Sequence, residues 1–154
     1  MAVTLRHIGI VVSNMEQAVN IYENLFGCEV VKMLSEVKGS FISQLVGIPG
    51  VLMKIVILKT KDNNRIELIE YLNTTGKKRV PVFSNDIGAS HFAITVADID
   101  KLYDKSKVYP INFISPPLLS PDGYVKVAYA IIMEECLVEI VEVLDDQGKI
   151  TGGN

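Results

Sequence analysis

The chain has 154 residues, of which 49% are hydrophobic and 21% charged, and 15 Lys+Arg against 18 Asp+Glu leave a net charge of −3. That length excludes two large domains, and a chain of this size buries about two-thirds of its unfolded surface without disulfide staples. The acidic balance argues against a nucleic-acid binder, no run reaches the roughly 18 apolar residues of a membrane span, and two His with two Cys exclude Cys-rich or His-rich zinc modules.

Thr4 to Ser13 is β-rich. Met15, Ala18, Val19, Tyr22, Leu25 and Phe26 then recur on one face of a helix, with Asn14 as N-cap, Gln17 in capping-box position and Gly27 as stop. A strand follows from Cys28 to Leu34. Ser35 to Gly50 reads as a loop with a short helical turn, broken by Gly39, Gly47, Pro49 and Gly50. Val51 to Lys59 and Arg65 to Leu72 are strands flanking an Asp62-Asn63-Asn64 turn, a spacing that predicts a hairpin. Asn73 to Gly88 is a polar connector containing Lys77, Lys78, Arg79 and Pro81.

After the connector the order repeats. Ser90 to Val96 is a strand, Asp98 caps a helix that Pro110 ends, and Ile111 to Ile114 is a short strand. Ser115 to Gly123 is a Pro-rich loop, and Tyr124 to Met133 is a long strand. Glu134-Glu135 is a turn, Leu137 to Leu144 the last strand, and Asp145 to Asn154 a frayed tail. The reading is therefore β-α-β-β-β twice: a first module over 1–72, a connector over 73–88, a second module over 89–144 and a tail over 145–154. Two paired segments support the repeat. His7-Ile-Gly-Ile-Val-Val precedes His91-Phe-Ala-Ile-Thr-Val by an offset of 84, and Arg65-Ile-Glu-Leu-Ile-Glu precedes Leu137-Val-Glu-Ile-Val-Glu by an offset of 72.

Each histidine thus sits in the first strand of its module, and Glu67 and Glu139 sit in the last. Strand alternation makes Glu67 equivalent to Glu139, and Glu70 to Glu142, but leaves open which of each pair points inward. A carboxylate within a β-rich core is costly unless paired or metal-bound. Two imidazoles and two carboxylates suit a divalent ion, Zn, Ni, Co, Mn or Fe, with positions left for water or substrate. Arg65 and Tyr71 share the face of Glu67 and are candidate pocket residues. Phe41 and Gln44 are candidates for a lid, and Lys54 and Lys126, in comparable hairpin strands, are weaker substrate-binding candidates. Glu70 and Glu142 read as solvated outer-face residues. Lys77-Lys78-Arg79 reads as a solvated connector or, more sharply, as a clamp for an anionic tail. Cys28 and Cys136 read as buried, unpaired thiols, and with no signal-peptide pattern in Met1 to Arg6 the expected setting is a reducing cytoplasm.

His7 with IGIVVSNMEQAVNIYENLFG, Glu67 in RIELIEYL, His91 in GASHFAITVADID and Glu139 in LVEIVEVL resemble the vicinal oxygen chelate superfamily of glyoxalases, bleomycin-resistance proteins and dioxygenases. The resemblance covers about Thr4 to Leu144. It implies an α+β fold of two βαβββ modules forming a cup-shaped, incompletely closed mixed β-barrel with helices outside. It assigns metal ligands to His7, Glu67, His91 and Glu139, and it implies a homodimer. A carboxylate at the second ligand position favours the glyoxalase I and methylmalonyl-CoA epimerase branch. The expected activity is that of a divalent-metal-dependent lyase or isomerase acting on a small molecule. It would abstract a proton next to a carbonyl, with Glu139 as first candidate base and Glu67 as second. The alternatives are a non-catalytic resistance-type binding protein and an Fe(II)-dependent dioxygenase. Ile132 to Cys136 stands where many relatives carry an Asp-Pro-Asp-Gly turn, and no glutathione or acyl-CoA signature is evident.

Overall fold

The computed structural model describes residues 3–74, 76–77, 83–133 and 136–144. The chain divides into two compact units, Met1–Lys78 and Arg79–Asn154. Lys78, Arg79 and Pro81 of the connector, the Glu134-Glu135 turn and the 145–154 tail lie outside the described residues.

Unit 1 runs β1 (Ile8–Val11), α1 (Met15–Asn20), β2 (Glu29–Lys38), α2 (Ser40–Val46), β3 (Leu52–Lys59) and β4 (Arg65–Tyr71). Its sheet has the order β1-β4-β3-β2. β1 lies parallel to β4 and the other pairings are antiparallel, so the sheet is mixed. Asn14 caps α1, its Oδ1 accepting the Gln17 N–H at 2.9 Å. The continuous helix expected up to Phe26 instead changes to a π-turn over Ile21–Leu25, with the Phe26 N–H donating to the Ile21 carbonyl at 3.2 Å. The wider turn brings Ile21 and Tyr22 inward together, beside Met15, Ala18 and Leu25. Gly27 stops the helix at φ 70°, a left-handed conformation that suits glycine. Within the segment expected as a loop with a short helical turn, β2 runs on to Lys38 and the helical turn is the two-turn helix α2, which ends at Gly47 in the same left-handed region.

Unit 2 runs β5 (Phe92–Thr95), α3 (Ile99–Ser106), β6 (Ile111–Phe113), β7 (Leu118–Leu119), β8 (Val125–Ile132) and β9 (Cys136–Val143). The order is β5-β9-β8-β6, with β7 also paired to β8 and β5 parallel to β9. Asp98 caps α3 by accepting the Lys101 N–H at 2.9 Å. The helix closes at Ser106, before Pro110, where the Ser106 hydroxyl donates to the Tyr103 carbonyl at 2.7 Å. The two-residue strand β7 falls inside the segment expected as a Pro-rich loop.

Each unit therefore has an α+β architecture: an open mixed sheet with helices. One sheet face is buried. In unit 1 it carries Val56, Leu58, Ile66 and Leu68, and α1 contacts β3 and β4. In unit 2 it carries Ala128, Ala130, Ile132, Val138 and Ile140, with α3 against β9. Fully burying one such aliphatic side chain contributes roughly 1.5–3 kcal/mol. Alternation along the strands then leaves Glu67 and Glu139 on the opposite, half-buried face of each sheet. The register, and not the periodicity, decides which glutamate of each pair takes that side.

Candidate functional site

The two parallel pairings build two matching sites. In unit 1, Gly9 of β1 lies beside Glu67 of β4; in unit 2, Ala93 of β5 lies beside Glu139 of β9. His7 and His91 stand two residues before Gly9 and Ala93, so alternation brings each imidazole to its glutamate. His7 Nε2 is 3.1 Å from Glu67 Oε2, and His91 Nε2 is 3.3 Å from Glu139 Oε2. The side chains are 36% and 21% exposed in the first pair, 43% and 26% in the second, so both pairs are reachable from solvent. A Cβ on Gly9 would sit 4.0 Å from Glu67 Oε2, an ordinary contact, in keeping with alanine at the matching position 93.

The chemistry of the donors fits a divalent ion. Two ligands each about 2.1 Å from one ion and at right angles are roughly 3 Å apart, which is the spacing within each pair. Among the described residues, no group of three or more His, Cys, Asp or Glu side chains is gathered closely enough to hold an ion. Each His–Glu pair is accordingly a two-donor arrangement within its own unit.

The surroundings of the two pairs differ. Opposite Glu139 on β8 stands Tyr129, whose hydroxyl is 3.3 Å from His91 Nε2 and whose ring meets the imidazole edge-on, 5.2 Å between centroids. Burial pushes the Tyr129 phenol above its ordinary range, and the Glu139 carboxylate adds to the effect. Opposite Glu67 on β3 stands Ile57, which offers no polar group. Tyr129 is not among the candidates that the sequence singles out. A signal for it exists, because Ile57 and Tyr129 are related by the same offset of 72 that relates the two glutamates.

The remaining candidates separate. Arg65 and Tyr71 do share the face of Glu67, Arg65 exposed and Tyr71 half-buried. Lys54 and Lys126 do not. Lys54 lies opposite Glu70 on the other face of the sheet and pairs with it at 3.9 Å. Lys126 lies opposite Glu142 and binds Asp100 of α3. Alternation accounts for the placement: these even-numbered positions of β3 and β8 share a face with buried Val56, Leu58, Ala128 and Ala130, opposite to that of Glu67 and Glu139. Glu142 is also not simply solvated, since its Oε2 accepts the Ile99 N–H at 3.0 Å, at the start of α3. Gln44 lines an open depression of about 710 Å³ beside α2, along with Lys38, Ser43, Pro49 and Val51. Phe41 is not part of that lining and is 77% exposed. Cys28 and Cys136 are half-buried, and burial raises the Cys28 thiol to about 11. Among the described residues, no helix is long and apolar enough to cross a membrane.

Residues 6–129 match the Glyoxalase/Bleomycin resistance protein/Dioxygenase superfamily. The chain is 24% identical over 125 residues to a 2-epi-5-epi-valiolone epimerase from Actinomyces sp., a match covering 79% of this chain and 68% of that protein. Its fold is similar to that of a glyoxalase family protein from Bacillus cereus, with a TM-score of 0.83, 21% identity and coverage of 94% and 97% of the two chains. It is also similar to a fosfomycin resistance protein from Listeria monocytogenes solved with Mn(II) and sulfate, with a TM-score of 0.62, 16% identity and coverage of 94% and 95%.

Proposed function

This chain belongs to the Glyoxalase/Bleomycin resistance protein/Dioxygenase superfamily, and on that premise we propose that it is a divalent-metal-dependent lyase or isomerase that moves a proton next to a carbonyl group. The observation that carries the reading is the duplicated His–Glu pair, held at the same register point of a parallel strand pair in each unit. A structural role would not require an imidazole and a carboxylate at ligand spacing twice.

In this reading His7, Glu67, His91 and Glu139 are the protein's metal donors, two nitrogens and two oxygens. The ion is one of the divalent metals that accept mixed imidazole and carboxylate ligands, Zn, Ni, Co, Mn or Fe. When bound, it supplies Lewis-acid stabilisation of the charge that develops on the substrate's carbonyl oxygen. Glu139 removes the proton from the adjacent carbon and Glu67 is the second candidate. Tyr129 holds the orientation of the His91 ring through its edge-on contact, and its hydroxyl hydrogen-bonds the neighbouring Glu139 carboxylate, so it is a positioning residue. The side chains bordering each glutamate on its face are largely apolar, Ile55, Ile57 and Ile69 in unit 1 and Val127 and Val141 in unit 2, so each carboxylate has one apolar flank and one solvent-exposed flank. The same reading includes a homodimer as the working form and a cytoplasmic setting. The Listeria relative's Mn(II) and the epimerase relative are consistent with this chemistry.

The test has two arms. Metal analysis of the untreated protein should find a divalent ion, and the variant with alanine at positions 7, 67, 91 and 139 should lose it. In D2O, the wild-type protein should catalyse deuterium entry next to the carbonyl of a substrate found by screening thiol adducts of 2-oxoaldehydes and acyl-thioesters. A protein that takes up no divalent ion, and gains no activity from any, is not this enzyme. Tight binding of a small molecule that survives the quadruple substitution would instead favour a non-catalytic binding protein.

A further inference from the structure

The faces around the two glutamates have diverged in a way that the repeat makes measurable. In unit 1, Arg65 of β4 and Lys59 of β3 are directly opposite each other in the antiparallel pair, on the same side as Glu67. Lys32 of β2 lies opposite Ile57, and Ile57 opposite Glu67, so a third cation borders the same ground. In unit 2 the positions matching Lys59 and Arg65 are Ile131 and Leu137, again directly opposite each other. The fold thus accepts an apolar pair at this row, which is the more favourable cross-strand choice, whereas like charges directly opposite destabilise a sheet. Lys59 is partly compensated by Glu29 at 2.9 Å. Arg65 is exposed, and among the described residues no carboxylate lies within ion-pair distance of its guanidinium.

We propose that Arg65, backed by Lys59, is an anion-binding position beside the His7–Glu67 pair, and that the substrate class is a small carbonyl compound bearing a carboxylate or a phosphate. This rests on the reading that substrate lies on the Glu67 face. Residues two apart on a strand are roughly 7 Å apart. That step separates Arg65 from Glu67, which lets one small molecule present its anionic group to Arg65 and its reacting end to the His–Glu pair. The planar guanidinium binds a carboxylate or a phosphate through two parallel hydrogen bonds, which a lysine in the same place does not do. The excess of positive charge over structural need is therefore a recognition device, and it sits on one unit only.

The experiment uses the full chain, isotopically labelled, with NMR of the arginine Nε–Hε groups and backbone amides at constant ionic strength. Inorganic phosphate, pyruvate and neutral dihydroxyacetone are titrated separately. Saturable shifts at Arg65 and its strand neighbours with phosphate or with pyruvate, and none with dihydroxyacetone, are expected; the stronger of the two identifies the anionic group. Arg65→Leu and Lys59→Ile, which install the unit 2 residues, should weaken that binding by about tenfold or more, and Arg65→Gln should do the same while keeping a polar surface. Arg65→Lys should recover only part of it. Linear shifts spread over all surface cations, equal affinity in Arg65→Gln, or equal binding of dihydroxyacetone would overturn the proposal. Mn(II) is added to the same samples. Anion binding without Mn(II) binding would remove the metal-dependent reading and leave this one, and Mn(II) binding with no saturable anion site would do the reverse.

Discussion

Replacing Glu142 with alanine tests whether the two units use their paired acidic residues differently. Glu142 Oε2 accepts the N–H of Ile99 at 3.0 Å across a long stretch of sequence, and Ile99 is fully buried. The first-turn N–H groups of a helix have no partner within the helix, so loss of this carboxylate leaves one of them without its acceptor near the core. A hydrogen bond to a charged group contributes about 1.5–3 kcal/mol, and an orphaned buried donor costs about 1–3 kcal/mol. Asp98 still caps the Lys101 N–H, so a single donor is lost, and the expected destabilisation is about 2 kcal/mol. For a chain of this length that is a fall in Tm of roughly 4–8 °C. Glu70 is the matching residue of unit 1, yet it has a 3.9 Å ion pair with Lys54. Glu70→Ala should therefore cost less than about 1 kcal/mol. Urea denaturation followed by circular dichroism, with Glu142→Gln as the variant that keeps a neutral acceptor, gives the comparison. Equal losses for Glu142→Ala and Glu70→Ala, or a Glu142→Ala effect under about 0.5 kcal/mol, would refute the reasoning.

Tyr129→Phe keeps the edge-on ring contact and removes the hydroxyl 3.3 Å from His91. It should lower kcat by about tenfold with little change in KM, and a KM effect alone would argue against a positioning role. Cys28, raised from 9.0 to about 11 by burial, should react with a thiol reagent about a hundredfold more slowly than an ordinary thiol at neutral pH, with a rate still climbing at about pH 10. The sign for stability follows from the same shift. The folded state holds the proton more tightly, so the contribution is full below about 9 and is lost as pH rises through about 11, which denaturation at about pH 8 and about pH 10.5 would show.

Much of the fold is legible in the sequence because its signals are local. Period-2 strands, the Asn14 and Asp98 caps and the Gly27 stop all lie within a few residues of what they determine. The repeat carries further, since an offset of 72 relates Glu67 to Glu139 within the sequence itself. What stays hidden is whatever depends on the neighbour across a sheet. Which face Lys54 and Lys126 take, and their pairing with Glu70 and Asp100, is set by register and packing, and Glu142 looks solvated unless α3 packs against it. The π-turn at Ile21–Leu25 is hidden for another reason: it is the last turn of the helix, so no further helical residues follow to show a displaced apolar stripe. Tyr129 lies between these cases. The offset reaches it, but its meaning comes from the strand pairing that sets it opposite Glu139.

The parallel pairing of each module's first strand with its last has a kinetic meaning. β1 cannot find its place until β4 has been made, and β5 must likewise wait for β9, since each parallel pair closes the whole intervening chain into a loop. Closing such a loop is entropically costly and slow compared with forming the β3–β4 or β8–β9 hairpins. His7 meets Glu67, and His91 meets Glu139, only at that final closure. Each His–Glu pair is thus among the last features its own unit acquires, and a unit whose first strand has not yet docked holds its imidazole and its carboxylate apart.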